Sequence, residues 1–243
     1  MLDLQRTGAI ARLTLDRPEA RNAVPPNGWL PIADLAERAV GEGARLLILA
    51  GRAGAFCAGA DLGSFAGLRG DDAARAGFRD AMREAFDRIA ALPIPTIAWI
   101  EGPCFGAGVA LAMACDLRVA TPSARFGITP AKLGISYPQQ DIRRLVSLVG
   151  RGQATRLLFT AATIDADEAL RVGLVEAVME ASDQPHWIES ILGNSDAGLA
   201  ALKRGIQLAA AGVTQDAEQD STFDALIGGD ELLQRLAALR DGR

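Results

Sequence analysis

The sequence has little of several residue types that often carry catalytic chemistry. Its 243 residues include one histidine, one tyrosine and three cysteines. The odd cysteine count, without the spacing of metal ligands, predicts free thiols in a reducing compartment. Cys57 and Cys104 lack a nearby histidine base, so we do not expect a cysteine nucleophile, and we expect Cys115 in the core. The one histidine, His186, is expected to be a surface or helix-packing residue.

Long apolar runs and an excess of basic charge are also missing. No run approaches the roughly 20 residues that span a bilayer. The first residues, Met1 to Leu4, include an acid and lead into a strand-like alternation, unlike a signal peptide. The formal net charge is -5 with both signs interspersed, which disfavours a nucleic-acid surface. We therefore expect a cytoplasmic protein with no membrane and no nucleic-acid partner.

Alternating strand and helix patterns dominate what is present. Residues 9–15 alternate as a half-buried strand, and 45–50 form the continuous apolar run of a strand buried on both faces. Further patterns predict helices at 28–40 and 71–92, strands at 96–100 and 116–120, and a short apolar helix after Gly106. The order predicts an α/β fold with helices outside a largely parallel sheet.

The character of the chain changes after about residue 139. We predict helices at 140–149, 151–159 and 165–171, a brief strand at 174–178, and helices from there to the C-terminus. The expected organisation is a core domain over residues 1–180 and a helical region over 181–243 that serves docking or oligomerisation.

Two glycine-rich loops each leave a buried strand and enter a helix. They are Phe56-Cys57-Ala58-Gly59-Ala60-Asp61 and Gly102-Pro103-Cys104-Phe105-Gly106-Ala107-Gly108. Such turns expose backbone N–H groups that no helical bond satisfies, and two of them aimed at one point would stabilise an oxygen that gains negative charge. On glycine content alone, two ordinary tight turns explain the pattern equally well.

Several segments in the correct order resemble the crotonase (enoyl-CoA hydratase/isomerase) superfamily. The resemblance runs from about residue 5 to 180 and is carried by RPEARNA, FCAGADL, EGPCFGAGVALAMACDLRVA, ARFGITPAKLGI and TIDADEALRVGLVEAV. It implies a spiral of ββα units with a helical C-terminal layer, assembled as a trimer or a pair of trimers. It also implies an acyl-CoA substrate, with coenzyme A as part of the substrate and no permanently bound cofactor or metal.

The resemblance assigns site residues at matching positions. The amides of Ala60 and Ala107 fall at the family's two oxyanion-hole positions, although the second is usually glycine, so the Ala107 methyl narrows the approach. Arg21 and Ala23 match the segment that lines the nucleotide end of coenzyme A. The other residues assigned to coenzyme A contact are Ala58, Ala60, Asp61 and Leu62.

Both catalytic glutamates of a typical hydratase are missing. Ala110 stands at the first position and Pro130 at the second. Two-glutamate hydration is therefore not expected, nor is the isomerisation that uses the second glutamate.

The segment with Thr129 and Tyr137 resembles the methylmalonyl-CoA decarboxylase branch. In that branch a threonine and a tyrosine at these positions contact the substrate carboxylate. That branch usually has a histidine where this chain has Ala60 and a glutamate where it has Ala110. Tyr137 could instead cap a loop with its ring buried, and Thr129 could satisfy a backbone group at a strand end.

Asp141 and Asp61 each have a structural interpretation, and Asp141 also has a catalytic one. We predict that Asp141 is the N-cap of a helix at 142–149, with proton transfer as the alternative. Asp61 is expected to hold its turn through side-chain-to-backbone bonds. Three functions remain open: an acyl-CoA enzyme that works through an enolate, a decarboxylase of malonyl-type thioesters using Thr129 and Tyr137, and a non-catalytic CoA-thioester binder.

Overall fold

A large mixed sheet forms the centre of the molecule. The computed structural model describes residues 1–241, with strands β1 (Leu2–Thr7), β2 (Ile10–Leu15), β3 (Leu46–Gly51), β4 (Thr96–Ile100), β5 (Pro103–Phe105), β6 (Leu117–Ala120), β7 (Arg125–Gly127), β8 (Thr163–Asp165) and β9 (Ala177–Val178). The large sheet has the order β1-β2-β3-β4-β6-β9, and a small sheet has the order β5-β7-β8. In the large sheet β1 runs antiparallel to β2 and the remaining pairs are parallel.

Helices cover both faces of the large sheet and form the C-terminal part. They are α1 (Trp29–Gly41), α2 (Asp72–Ala90), α3 (Ala107–Ala114), α4 (Gln139–Thr160), α5 (Ala166–Val172), α6 (Gln184–Leu192), α7 (Asp196–Ala210), α8 (Ala217–Ile227) and α9 (Asp230–Asp241). α4 leaves helical geometry at Gly150, whose φ is +71°, so the two predicted helices exist as two segments. The expected α/β architecture with a helical C-terminal layer is confirmed.

Strand β3 shows why the sheet is buried on both faces. Leu47 and Leu49 belong to the main core, against α1 and α2, where Trp29 and Phe86 pack edge to face with centroids 5.4 Å apart. Residues on the other face of β3, such as Ile48, join a smaller core with Ile188 of α6. Alternate side chains of a strand point to opposite faces, so a continuous apolar run is the pattern that this position requires.

The strands that the sequence did not predict are β1 and the three-stranded sheet. The strands of that sheet have three residues each, which is too short for a period-2 pattern to be recognised. The predicted strand at 174–178 is also shorter, at Ala177–Val178, although Leu174 and Val175 before it are buried.

A buried lysine ties the C-terminal region to the core. The Lys203 ammonium of α7 donates to the Ile94 carbonyl at 2.9 Å and to the Asp116 carboxylate at 2.8 Å. The same carboxylate oxygen accepts from the amide and the hydroxyl of Thr96, both at 2.8 Å. The helical region therefore docks through a polar network at the start of two central strands.

Replacing Lys203 by methionine should lower the free energy of unfolding by about 2 kcal/mol, because it leaves the half-buried Asp116 carboxylate without its cation. The measurement is urea unfolding followed by circular dichroism. Lys132→Met is the matched control, since Lys132 is exposed. Equal stability of the two variants would show that the Lys203 contact contributes nothing.

Within residues 1–241, no helix combines the length and the apolar character needed to cross a bilayer. The final two positions of the predicted region 181–243 lie outside the described residues.

Candidate active site

The first glycine-rich loop is held by the RPEARNA segment. The Val24 amide donates to the Gly59 carbonyl at 2.8 Å, and the Asp61 amide donates to the Val24 carbonyl at 2.9 Å. The Ala58 amide donates to the Arg21 carbonyl, also at 2.9 Å. These bonds flank Ala60 on both sides and fix the direction of its peptide group.

Asn22 is a structural residue that the sequence did not reveal. It is 1% exposed and has a φ of +59°. Its amide nitrogen donates to the carbonyls of Ala55 at 2.6 Å and Arg52 at 3.0 Å, and its oxygen accepts from the Arg17 amide at 2.8 Å. It therefore joins the RPEARNA segment to the start of the first loop, a role that only the tertiary contacts make visible.

The second loop is joined directly to the first. The Phe105 amide donates to the Cys57 carbonyl at 2.9 Å, and the Cys57 amide donates to the Pro103 carbonyl at 3.1 Å. The Gly106 amide donates to the Gly127 carbonyl at 2.8 Å, which anchors the loop to the small sheet.

Gly59 shows how closely the loops approach. A β-carbon built on Gly59 would lie 2.7 Å from the Phe105 carbonyl oxygen and 3.2 Å from the Ala107 nitrogen. Its φ of +100° is also a conformation that other residues rarely adopt. Glycine at this position therefore allows the two backbones to meet.

Two amides at this junction have no protein acceptor. Among residues 1–241, the N–H groups of Ala60 and Ala107 donate to no backbone or side-chain oxygen. Ala107 is the first residue of α3, so its amide also carries the partial positive charge of a helix N-terminus. Two free donors at one junction can bind an oxygen atom that is negative or becoming negative.

Both residues line one cavity of about 400 Å³. Apolar side chains form most of its wall, namely Leu62, Phe65, Phe78, Met82, Leu133 and Ile135. The polar and charged side chains of the wall are Arg79, Thr129, Ser136, Tyr137 and Asp141. The cavity therefore suits a mainly apolar ligand with few polar contacts.

The structure brings most of the predicted site residues to this cavity. Ala58, Ala60, Leu62, Ala107, Thr129 and Tyr137 line it, whereas Arg21, Ala23 and Asp61 do not. The Asp61 carboxylate instead accepts from Arg17 at 2.7 Å and from the Gly63 amide at 3.0 Å. These bonds hold the pKa of Asp61 below its usual value and hold the turn, as expected from the sequence. Arg21 and Ala23 remain predicted coenzyme A contacts.

Tyr137 is buried with its hydroxyl pointing at the second loop. Its Oη donates to the Gly106 carbonyl at 2.7 Å, and the residue is 7% exposed. Thr129 precedes a short 3-10 turn at Pro130–Leu133, and its hydroxyl makes no hydrogen bond within the described residues. The Thr129 hydroxyl is therefore available to a ligand, whereas the Tyr137 proton is already donated.

The two positions without glutamates differ in their surroundings. Ala110 lies on α3 and is fully buried among core side chains. Pro130 is buried and forms part of the cavity wall. Neither position can offer a proton-transferring side chain.

The predicted N-cap role of Asp141 is wrong. The helix begins two residues earlier, at Gln139, and its N-cap is Pro138, whose fixed φ and extended ψ place the following residues in the helix. Asp141 thus lies in the first turn, 4% exposed, with its carboxylate 3.3 Å from the Arg144 guanidinium. Burial raises its pKa from 3.8 to about 6, although Arg144 partly opposes the shift.

The cysteines are buried thiols. Burial raises the pKa of Cys57 and of Cys115 to about 12, and that of Cys104 well above its usual value. A thiol with such a pKa is a poor nucleophile at neutral pH, which agrees with the expectation from the sequence. His186 is exposed on α6.

Comparison with known proteins identifies the family. The model of the enoyl-CoA hydratase/isomerase family matches residues 5–226. A Mycobacterium tuberculosis protein named as a probable enoyl-CoA hydratase, echA6, is 38% identical over 194 residues, which cover 79% of this chain and 76% of that protein.

Solved structures agree with this match. A family protein from Hyphomonas neptunium superposes with a TM-score of 0.93 at 35% identity, covering 100% of this chain and 95% of that one. A Thermobifida fusca protein described as an enoyl-CoA hydratase, solved with acetoacetyl-CoA, gives a TM-score of 0.80 at 28% identity over 99% and 95% of the two chains. The chain belongs to the enoyl-CoA hydratase/isomerase family, whose members process acyl-CoA thioesters.

Proposed function

We propose that this protein binds an acyl-CoA thioester with its carbonyl oxygen between the Ala60 and Ala107 amides and catalyses a reaction through the thioester enolate. The observation that carries the proposal is the pair of amides without acceptors at one junction in one cavity. The carbonyl oxygen gains negative charge when the α-carbon loses a proton or CO₂, because the electron pair of the broken bond stays behind and is delocalised onto that oxygen as the enolate. Donors already fixed in place stabilise that charge without reorganisation, and one such donor contributes about 10²–10³ in rate.

The cavity wall supports an apolar acyl group. Its side chains are mostly aliphatic or aromatic, and among residues 1–241 the one basic side chain that lines it is Arg79, on the exposed side of α2. The Thermobifida fusca neighbour was solved with a short acyl-CoA, acetoacetyl-CoA, which supports a thioester ligand in this fold.

Asp141 is the proposed proton-transferring group. Of the residues 1–241, it is the one acid that lines the cavity. A general base is most useful when its pKa lies near the working pH, and burial moves Asp141 toward that range. Glutamates at the positions of Ala110 and Pro130 are missing, so the two carboxylates needed for the usual hydration mechanism are not at these positions.

Decarboxylation of a malonyl-type thioester is a second candidate. The unpaired Thr129 hydroxyl favours it, because a hydroxyl can donate to a substrate carboxylate. The Tyr137 hydroxyl weakens the case for decarboxylation, because it already donates its proton to the Gly106 carbonyl. Of the two side chains expected to contact the substrate carboxylate, only Thr129 then has a free hydroxyl proton.

The test is a panel of CoA thioesters incubated with the protein in D₂O, analysed by mass spectrometry and by calorimetric binding. Deuteration at the α-carbon of apolar acyl-CoA thioesters supports the proposed function. Loss of CO₂ from malonyl-type thioesters alone would favour the decarboxylase, and binding without any exchange would identify a non-catalytic binder. Absence of both binding and exchange across the panel would exclude all three.

The role of the C-terminal helices in assembly also remains a proposal. Large apolar side chains are exposed there, including Ile206, Phe223, Leu233 and Leu239. Exposed apolar surface of this kind supports self-association, for which the sequence predicts a trimer or a pair of trimers.

A further inference from the structure

We infer that Tyr137 is a positioning residue that orients and polarises the peptide group carrying the Ala107 N–H. The Tyr137 hydroxyl donates to the Gly106 carbonyl oxygen at 2.7 Å. That oxygen and the Ala107 N–H are the two ends of one peptide group, because the Gly106 carbonyl carbon is bonded to the Ala107 nitrogen. The inference rests on the proposed function, since it assigns a role to Tyr137 within the same oxyanion site.

A hydrogen bond at one end of a peptide group strengthens the donor at the other end. Electron density drawn toward the carbonyl oxygen leaves the N–H more positive, and linked hydrogen bonds strengthen one another by ~10–30% each. The Val109 and Ala110 amides also donate to the Gly106 oxygen, at 3.0 Å and 3.3 Å. Tyr137 therefore adds a third donor, at the shortest distance of the three, to an oxygen that the helix already uses.

The geometry of Gly106 explains why the peptide needs an external anchor. Gly106 has a φ of +50° and, lacking a β-carbon, has a wide range of alternative conformations. Its amide is fixed by the Gly127 carbonyl at 2.8 Å. The Tyr137 hydroxyl holds the opposite side of the residue, so the two contacts together set the plane of the Gly106–Ala107 peptide.

The surroundings keep the hydroxyl protonated. The ring is buried, and both burial and the negative charge of the nearby Asp141 raise the pKa of Tyr137 well above its ordinary value. A phenol that stays protonated remains a donor to Gly106 across the physiological range. Its proton is thus used for positioning, a different role from the direct substrate contact expected from the sequence.

The experiment measures carbonyl polarisation directly. An acyl-CoA labelled with ¹³C at the thioester carbonyl is bound to the protein, and the ¹³C chemical shift is compared with that of free ligand. We expect a downfield shift in the wild type that is reduced by ~10–30% in Tyr137→Phe. The α-proton exchange rate should fall about two- to eightfold, which is ~10–30% of the contribution of one oxyanion donor, while affinity for free coenzyme A stays unchanged.

Two further samples separate positioning from a general packing effect. Thr121→Val removes another buried hydroxyl outside the cavity, and it should leave the ¹³C shift unchanged. Because Tyr137 is the only tyrosine, growth on 3-fluorotyrosine alters this hydroxyl alone. The fluorinated phenol is a stronger donor, so the ¹³C shift should move further downfield, and this sample retains the full side chain if Tyr137→Phe folds poorly.

The outcomes are distinguishable. A downfield shift in the wild type that is the same in Tyr137→Phe and in the fluorinated protein would overturn the positioning role and leave the oxyanion site intact. A wild-type shift equal to that of free ligand would overturn both proposals, because there would be no polarised carbonyl.

Discussion

Proline at position 107 should lower the rate of α-proton exchange by about 10²–10³ while α3 stays folded. Ala107 is the first residue of the helix, where its N–H has no intrahelical acceptor and proline is well tolerated. The preceding Gly106, at φ +50° and ψ -121°, has the mirror image of the extended conformation that residues before proline favour. The substitution therefore removes one oxyanion donor and also places the proline Cδ where the N–H pointed, beside Gly59, so the loss of exchange includes a steric contribution. Exchange in D₂O, followed by mass spectrometry, is the measurement.

The matched control is Asp72→Pro, which places proline at the first position of the exposed start of α2. Its exchange rate should equal that of the wild type, and the midpoint of thermal unfolding should be similar for both variants. If Ala107→Pro keeps full exchange with an intact fold, the Ala107 amide has no part in stabilising the enolate.

The sequence was sufficient for the elements that carry a long pattern. The alternation at 9–15 predicts a strand with one buried face, and the apolar run at 45–50 predicts a strand with two. Both patterns can be recognised within the segment itself, without knowledge of its tertiary contacts. The two loops could be located because glycine at Gly59 and Gly106 is required by a close approach and by a positive φ. The resemblance then ordered these segments into one family, which the comparison confirmed.

The parts that could not be predicted depend on contacts between distant segments. The three-residue strands of the small sheet exist because they pair with one another, and no local pattern marks them. Asn22 stabilises the first loop through the carbonyls of Arg52 and Ala55, some 30 residues away. Asp141 was placed at the helix N-cap because its residue type favours that position, whereas the fixed geometry of Pro138 starts the helix earlier.

Replacing Asp141 by asparagine should raise the free energy of unfolding above pH 6 by on the order of 2 kcal/mol. The free energy of unfolding should also depend less on pH in this variant than in the wild type. The folded pKa of Asp141 is raised from 3.8 to about 6, mainly by burial, so the folded state binds the proton more tightly than the unfolded state does. Its contribution to stability is therefore complete below about pH 4 and is lost as the pH rises to about 6. Urea unfolding across this range measures the slope, and Asp224→Asn, on the exposed surface of α8, is the control.

The same substitution should lower α-proton exchange by about 10²–10⁴, because asparagine cannot accept the proton. In the wild type the exchange rate should rise with pH up to about 6 and then level off, since the ionised carboxylate is the active form. A gain in stability together with a loss of exchange would show that the Asp141 carboxylate lowers the stability of the fold but is required for the reaction. The Arg144 guanidinium lies 3.3 Å from this carboxylate. Unchanged exchange in Asp141→Asn would instead show that solvent accepts the proton. The protein's contribution to the reaction would then be limited to the Ala60 and Ala107 amides.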